Sequence, residues 1–277
     1  MDAKALNEQI YQAALPLLEG HTVTDLVVGI SLLAVELDHK EISVSYVIRD
    51  DLAGGCSIFP YGTEVIGHPA PEIAHWFCED ADDLKRGIGG AVINAASQLQ
   101  TLEDRDSREH PFDLTVTHDT TVGMVGHIPP ALMRLKPFAP KTVIFDKGKS
   151  AEGDPAEGIY PMSRQAELLP RCDIVMMSGT AVVNGTAASL FEMAKDAKDV
   201  VLVGASVPMI PAGYRGTSAS VLAGSWWRHE DKDAIFSLIT HAAGMQKVGR
   251  YMVKKSVRVR SCSGVKGRRR ASLFLCQ

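Results

Sequence analysis

The sequence predicts an α/β protein, with an α+β first part and a second part built on a mainly parallel sheet. Beyond residue 114, the short apolar runs TVGMV, KTVIF, DIVMMS, DVVLV and SVLAGSWW alternate with helical patterns. Runs that are apolar throughout suit strands covered on both faces, as in parallel sheets. Before residue 100, a helix, a hairpin and two more helices form a different pattern. Several of the later strands also end in Gly, Ser or Thr, small residues that let a ligand or another backbone approach closely.

In order, the first helix is expected over residues 3–18, with Leu6, Ile10, Ala14, Leu17 and Leu18 at helical spacing and Gly20 ending it. TDLVVGISLLAVELDHKEISVSYVI reads as two strands around the polar turn Asp38-His39-Lys40; Ile42, Val44, Tyr46 and Ile48 alternate in the second. Helical patterns follow over residues 72–78 and 83–99, and the charged residues 102–114 read as a linker. In the second part, helices are expected over residues 129–135, 163–169, 185–195 and 231–245. The units are therefore residues 1–105 and 106–253, followed by a basic tail, 254–277, that lacks helical or strand periodicity and is expected to be disordered.

The net charge of −4 conceals an asymmetry. From Lys254 onward there are eight Lys or Arg and no acidic residue, which leaves 21 basic against 33 acidic residues before it, a net of −12. Such a body is a poor partner for nucleic acid, whose binding needs a basic surface. No apolar run reaches the roughly 18 residues of a membrane span. The N-terminus is acidic and helical rather than basic and then apolar, so no signal peptide is expected. Five cysteines (Cys56, Cys78, Cys172, Cys262, Cys276), odd in number and without CxxC, fit a reducing compartment. A cytoplasmic location follows.

Ligands of parallel sheets sit beyond the carboxyl ends of the strands, which singles out a few loops. In SGTAVVNGTAASL, Gly179 closes a strand, and Asn184 or Thr186 can cap the next helix, whose free N–H groups would favour an anion. Gly204 with Ser206, and Gly224 with Ser225, make similar ends on two other strands. VGMVGHIPP places Gly126 and His127 where a dinucleotide enzyme would carry GxGxxG; that spacing is missing, so NAD is not expected. Asp146 stands just after its strand, where a ribose-binding carboxylate often sits. For a divalent or heavy metal ion the donors to consider are His127, Asp146, the His118-Asp119 pair, and His75, Cys78 and Glu79 on one helix. There is no GxSxG elbow or Walker loop, and Cys172 opens an apolar strand as a core residue would.

VGMVGHIPP, VIFDKG, CDIVMMSGTAVVNGT, VVLVGASVPMIP and VLAGSWW, in that order, resemble the heavy-metal chelation family, a domain of unknown function. VVGISLLAVEL and IGGAVINAASQ resemble its companion domain, so the likeness covers residues 1–250 and leaves out the tail. The resemblance implies an enolase N-terminal-like α+β domain joined to a Rossmann-like domain, with a ligand crevice between them. It marks Gly126, Gly179, Thr180, Asn184, Gly185, Thr186, Gly204, Ser206 and Gly224, with Asn94 and Glu36 from the first part. His127 replaces an aromatic usual in the family, and Cys56 follows DDLAGG; both would alter ligand preference. Likeness to the enolase N-terminal domain carries no enolase chemistry, because the catalytic barrel is missing.

Two readings follow. In the first, the chain is a binding protein for a metal ion, a metal chelate or a small anionic ligand held in the crevice, with Glu36, His127 or Asp146 as metal contacts. In the second, it is an enzyme acting on a phosphorylated or carboxylated metabolite, with His127 or Glu36 as general acid/base. A homo-oligomer is compatible with either.

Overall fold

The computed structural model describes residues 1–49, 59–79, 82–138, 140–148 and 153–259. Cys56 and the tail beyond residue 259 lie outside the described residues. Among the described residues no helix is long and apolar enough to cross a membrane.

Helix α1 (Ala3–Leu18) starts where Asp2 accepts a hydrogen bond from the Ala5 N–H at 2.8 Å, and it buries Leu6, Ile10, Ala14 and Leu18. Three antiparallel strands follow: β1 (Val23–Val28), β2 (Leu32–Leu37) and β3 (Ile42–Tyr46). This corrects the two-strand reading. The apolar run conceals a turn at Gly29-Ile30-Ser31, where the Gly29 N–H bonds to the Leu32 carbonyl. A side chain at Gly29 would begin 2.4 Å from the Ile239 carbonyl oxygen, so glycine there lets a later helix pack on the turn. Helices α2 (Ala70–His75) and α3 (Asp83–Ala96) complete the first part.

The second part runs β4 (Thr121–Val125), α4 (Pro129–Leu135), β5 (Lys141–Phe145), α5 (Gln165–Leu168), β6 (Ile174–Ser178), α6 (Thr180–Val183), α7 (Ala187–Met193), β7 (Asp199–Val203) and β8 (Val221–Trp227). It ends with α8 (Lys232–Thr240), α9 (Met245–Val248) and β9 (Met252–Arg258). Strands β5, β4, β6, β7 and β8 lie side by side in parallel, as the apolar runs predict, and β9 pairs antiparallel with β8. One bridge, Ile42 to Trp227, connects β3 to β8 and makes a single nine-stranded sheet of order β1-β2-β3-β8-β7-β6-β4-β5.

Three expectations change. Residues 254–258 belong to β9, not to an aperiodic tail; Val253 and Lys254 are exposed and Ser256 and Val257 buried, a pattern without the two-residue period that marks a strand in sequence. The helix expected over 185–195 forms as α7, but the small-residue loop expected before it holds a further short helix, α6, parted from α7 at Gly185 with φ +76°. The last expected helix also breaks, with Ala242 at φ 58° between α8 and α9.

Both faces of the parallel strands are covered. Val175, Met177, Val200 and Leu202 share one core with α1, α3, α6 and α7. Ile174, Met176, Val201 and Val203 share another with Ala131 and Leu135 of α4 and with Phe112, Leu114 and Val116. A third packs β2, β3 and Trp227 under α8 through Ile235 and Ile239.

Candidate functional site

In the parallel part β4 is followed by β5 on one side, and the chain then crosses to β6 on the other. The loops after β4 and β6 therefore diverge and leave a crevice outside the strand ends. A cavity of about 890 Å³ opens there, within the range of pockets that hold small organic molecules. Tyr46, at the end of β3, and the following Val47 and Ile48 also line it, so the crevice draws on both parts of the chain.

The loop after β4 turns through Gly126 at φ +87°, where its N–H bonds to the Phe145 carbonyl at 2.7 Å. A side chain there would meet Ser178 Cβ at 3.2 Å. Asp146 organises two loops: one oxygen accepts the His127 backbone N–H at 2.7 Å, the other the Gly148 N–H at 3.1 Å. After β6, the Ser178 and Thr180 hydroxyls bond to each other at 2.8 Å. Asn184 Oδ1 accepts from the Thr186 N–H at 3.2 Å and the Thr186 hydroxyl at 2.8 Å, so the expected capping pair forms a closed turn before α7. Helix α7 is only seven residues long, so its dipole offers an anion less than a long helix would.

Of the residues singled out in the sequence, Gly126, His127, Asp146, Thr180, Asn184, Thr186, Gly204 and Gly224 line the crevice. The others stand behind it or elsewhere. Gly179 is buried against the 206–207 backbone, with Val207 N only 2.6 Å from where its Cβ would be. Gly185 carries the turn beside Ala3. The Ser206 hydroxyl accepts from the Ser45 hydroxyl at 2.8 Å and the Tyr46 N–H at 2.9 Å, which fixes the β3 wall to the loop after β7. Asn94, fully buried on α3, donates to the Ala205 carbonyl and accepts from the Met209 N–H, bracketing the same loop. Glu36 lies on β2, paired with Lys232 at 2.7 Å and His229 at 3.0 Å and bonded to the Thr24 hydroxyl, and it does not line the crevice.

Other lining residues escaped the sequence reading. Lys254 and Lys255 come from β9; a Lys-Lys pair between two valines was the available signal. Met245 and Met252 add apolar surface. From the expected linker come Asp106 and Phe112; Arg134 pairs with Asp106 and lies over the Phe112 ring at 4.8 Å. Phe112 and Asp113 both have left-handed backbones, φ 60° and 58°, which costs about 1–3 kcal/mol each. The Asp106 carboxylate, accepting the Phe112 N–H at 2.8 Å, helps hold that conformation.

A bare metal ion needs several convergent side-chain donors. Among the described residues, the crevice does not bring three His, Cys, Asp or Glu side chains together. Asp146 already serves two backbone donors. The thiols are poor candidates too: burial first, and then the charge of Glu8, pushes Cys78 up to about 12, and burial with Asp173 pushes Cys172 up to about 11. Of the other donors considered, His118 and Asp119 pair with each other in full exposure, and His75 faces Glu79 at 3.9 Å. The crevice donors thus do not fit a naked ion held by side chains alone.

Comparison with known proteins agrees with the sequence resemblance. Residues 110–258 match the DUF364 family model, described as "Putative heavy-metal chelation", and residues 11–97 match DUF4213, described in the same words. An uncharacterized protein of Methanocaldococcus jannaschii is 27% identical over 158 residues, which span 56% of this chain and 60% of that relative's length. A crystal structure of a DUF364-family protein of unknown function from Pyrococcus horikoshii superposes with a TM-score of 0.72 at 19% identity, covering 92% of this chain and 100% of that one. A second, from Desulfitobacterium hafniense, gives 0.70 at 22% identity, covering 90% and 97%. At these identities the two structures speak to the fold alone. The family model spans more than half of the chain, and the chain belongs to the DUF364 heavy-metal chelation family.

Proposed function

We propose that the chain binds a small anionic organic molecule, alone or as a metal chelate, in the crevice between its two parts. The observation that carries this reading is the mixed lining of the crevice: Lys147, Lys254 and Lys255 in an otherwise acidic body, together with hydroxyls and the apolar Val47, Phe145, Leu190 and Met252. Cations and hydroxyls suit carboxylates or phosphates, and the apolar surface suits a carbon skeleton. Since the crevice donors do not fit a naked ion, a metal would arrive already wrapped by its ligand, with His127 and the loop N–H groups offered to the complex. Of the two general acid/base candidates only His127 lines the crevice.

The test uses full-length protein without an affinity tag, with citrate and ferric citrate as probes of the class. At a hundred times the dissociation constant a bound ligand adds about 2.7 kcal/mol of stability, so a saturable rise in melting temperature is expected. It should shrink in a Lys254→Ala, Lys255→Ala double variant and in His127→Ala. Equal shifts in all three proteins would place binding outside the crevice. No shift with either probe, and no small molecule released on denaturation by mass spectrometry, would refute the reading.

A further inference from the structure

Away from the crevice, one cluster has metal-ligand chemistry. His21 leads into β1, and Asp38 with His39 forms the turn between β2 and β3; one ligand atom from each lies within 4.8 Å of the others. No other group of three such side chains meets that distance among the described residues. We propose that His21, Asp38 and His39 form a site for a divalent ion of the zinc and nickel class. The proposal is independent of what the crevice binds, since none of the three residues lines it. Ile42, at the turn end of β3, and Tyr46, at the crevice end, are opposite ends of the strand, roughly 13 Å apart.

Three features support it. Two imidazoles and one carboxylate are donors of intermediate softness, suited to zinc and nickel rather than to magnesium or calcium. Bonds of about 2.0–2.2 Å to one ion are reachable from the present spacing by small side-chain rotations. His21 Nδ1 is already 2.7 Å from Asp38 Oδ1, and the His21 and His39 rings meet edge to face at 4.5 Å between centroids.

The backbones that present these side chains are also fixed in advance. The His21 N–H bonds to the Leu18 carbonyl at the end of α1, and its own carbonyl accepts the Ala70 N–H at 2.8 Å. The Asp38 N–H bonds to the Thr22 carbonyl at 3.1 Å. The turn closes through the Lys40 N–H to the Leu37 carbonyl at 2.9 Å, with Lys40 at φ 77°. The Thr22 hydroxyl donates to the second Asp38 oxygen at 3.4 Å, the kind of outer partner that orients a ligating carboxylate. Asp38 and His39 are exposed, so an ion can enter and water can complete its coordination.

The plain alternative is a hydrogen-bonded His–Asp pair with a second ring packed beside it. Calorimetric titration of EDTA-stripped, untagged full-length protein with zinc separates the two, with cobalt absorption spectra reporting the ligand field. One ion per chain is expected at this site, with affinity lowered about 100-fold or more in His21→Ala and in His39→Ala. Thr22→Val should weaken it about 10-fold, at the lower end of what outer partners contribute. His127→Ala should leave the zinc titration unchanged. His39 is exposed, so His39→Ala carries the test even if His21→Ala fails to fold. A wild-type protein that takes up no zinc, or the same uptake and affinity in wild type and His39→Ala, would overturn the proposal.

Discussion

The thiols of Cys78 and Cys172 show how much one buried atom can report. Burial, then Glu8, raises Cys78 from an ordinary 9.0 to about 12, and burial, then Asp173, raises Cys172 to about 11. Thiolate is the reactive form, so in native protein at pH 8 iodoacetamide should label Cys78 roughly a thousandfold and Cys172 roughly a hundredfold more slowly than an ordinary thiol. Peptide mass spectrometry with and without denaturant reads this directly. The same shifts carry a sign for stability. A thiol whose value is raised on folding holds its proton more tightly in the native state. Its contribution is complete below the unfolded value and is lost as pH rises through the folded one. Urea midpoints should therefore fall from about pH 9 upward, and Cys78→Ala should flatten that fall toward pH 12.

At the scale of elements, β9 decides most. It covers the free edge of β8 along all seven residues and brings Lys254 and Lys255 to the crevice. It is secured at its end by Arg258, which bonds to Asp113 Oδ2 at 2.6 Å, to the Asp113 carbonyl and to Asp199. Arg258→Met would leave two carboxylates without their cation in a partly buried place. We expect a loss of about 1–3 kcal/mol, below the 3–5 of a fully buried pair, measured by urea unfolding. The parallel strands and the loops after β4, β5 and β6 were legible in the sequence, because continuous apolar runs and small residues at strand ends leave a local mark. What depends on distant partners was not. At the Gly29 turn, glycine is required by the close approach of the Ile239 carbonyl. The strand character of residues 254–258 comes from pairing with β8, and the short helix α6 is closed off by the left-handed backbone of Gly185, which a helical pattern does not encode. Asn94 and Glu36 stand out only through family likeness. Their partners, Ala205 with Met209 and Lys232 with His229, lie more than a hundred residues away and could not be read locally.

At the scale of the whole molecule, the two parts of the chain share one core. Leu6, Ile10 and Ala14 of α1 lie in the same cluster as Val175, Val200 and Tyr214. Gly213 approaches so closely that a Cβ there would begin 2.7 Å from the Ile10 Cα, and Gln9 donates to the Gly213 and Arg215 carbonyls. Ile10→Ala should therefore cost about 2–5 kcal/mol in one cooperative transition, with fluorescence and circular dichroism giving the same midpoint. Separate midpoints would mean that the halves unfold independently.

That shared core also has a consequence in time. Gln9 and Gly213 are 204 residues apart in the chain. At about 5–20 residues per second, the apolar face of α1 leaves the ribosome about 10–40 s before the segment that covers it. Helix α1 finds its place only once the segment around Gly213 has emerged, and a growing chain must keep its apolar face from other partners until then.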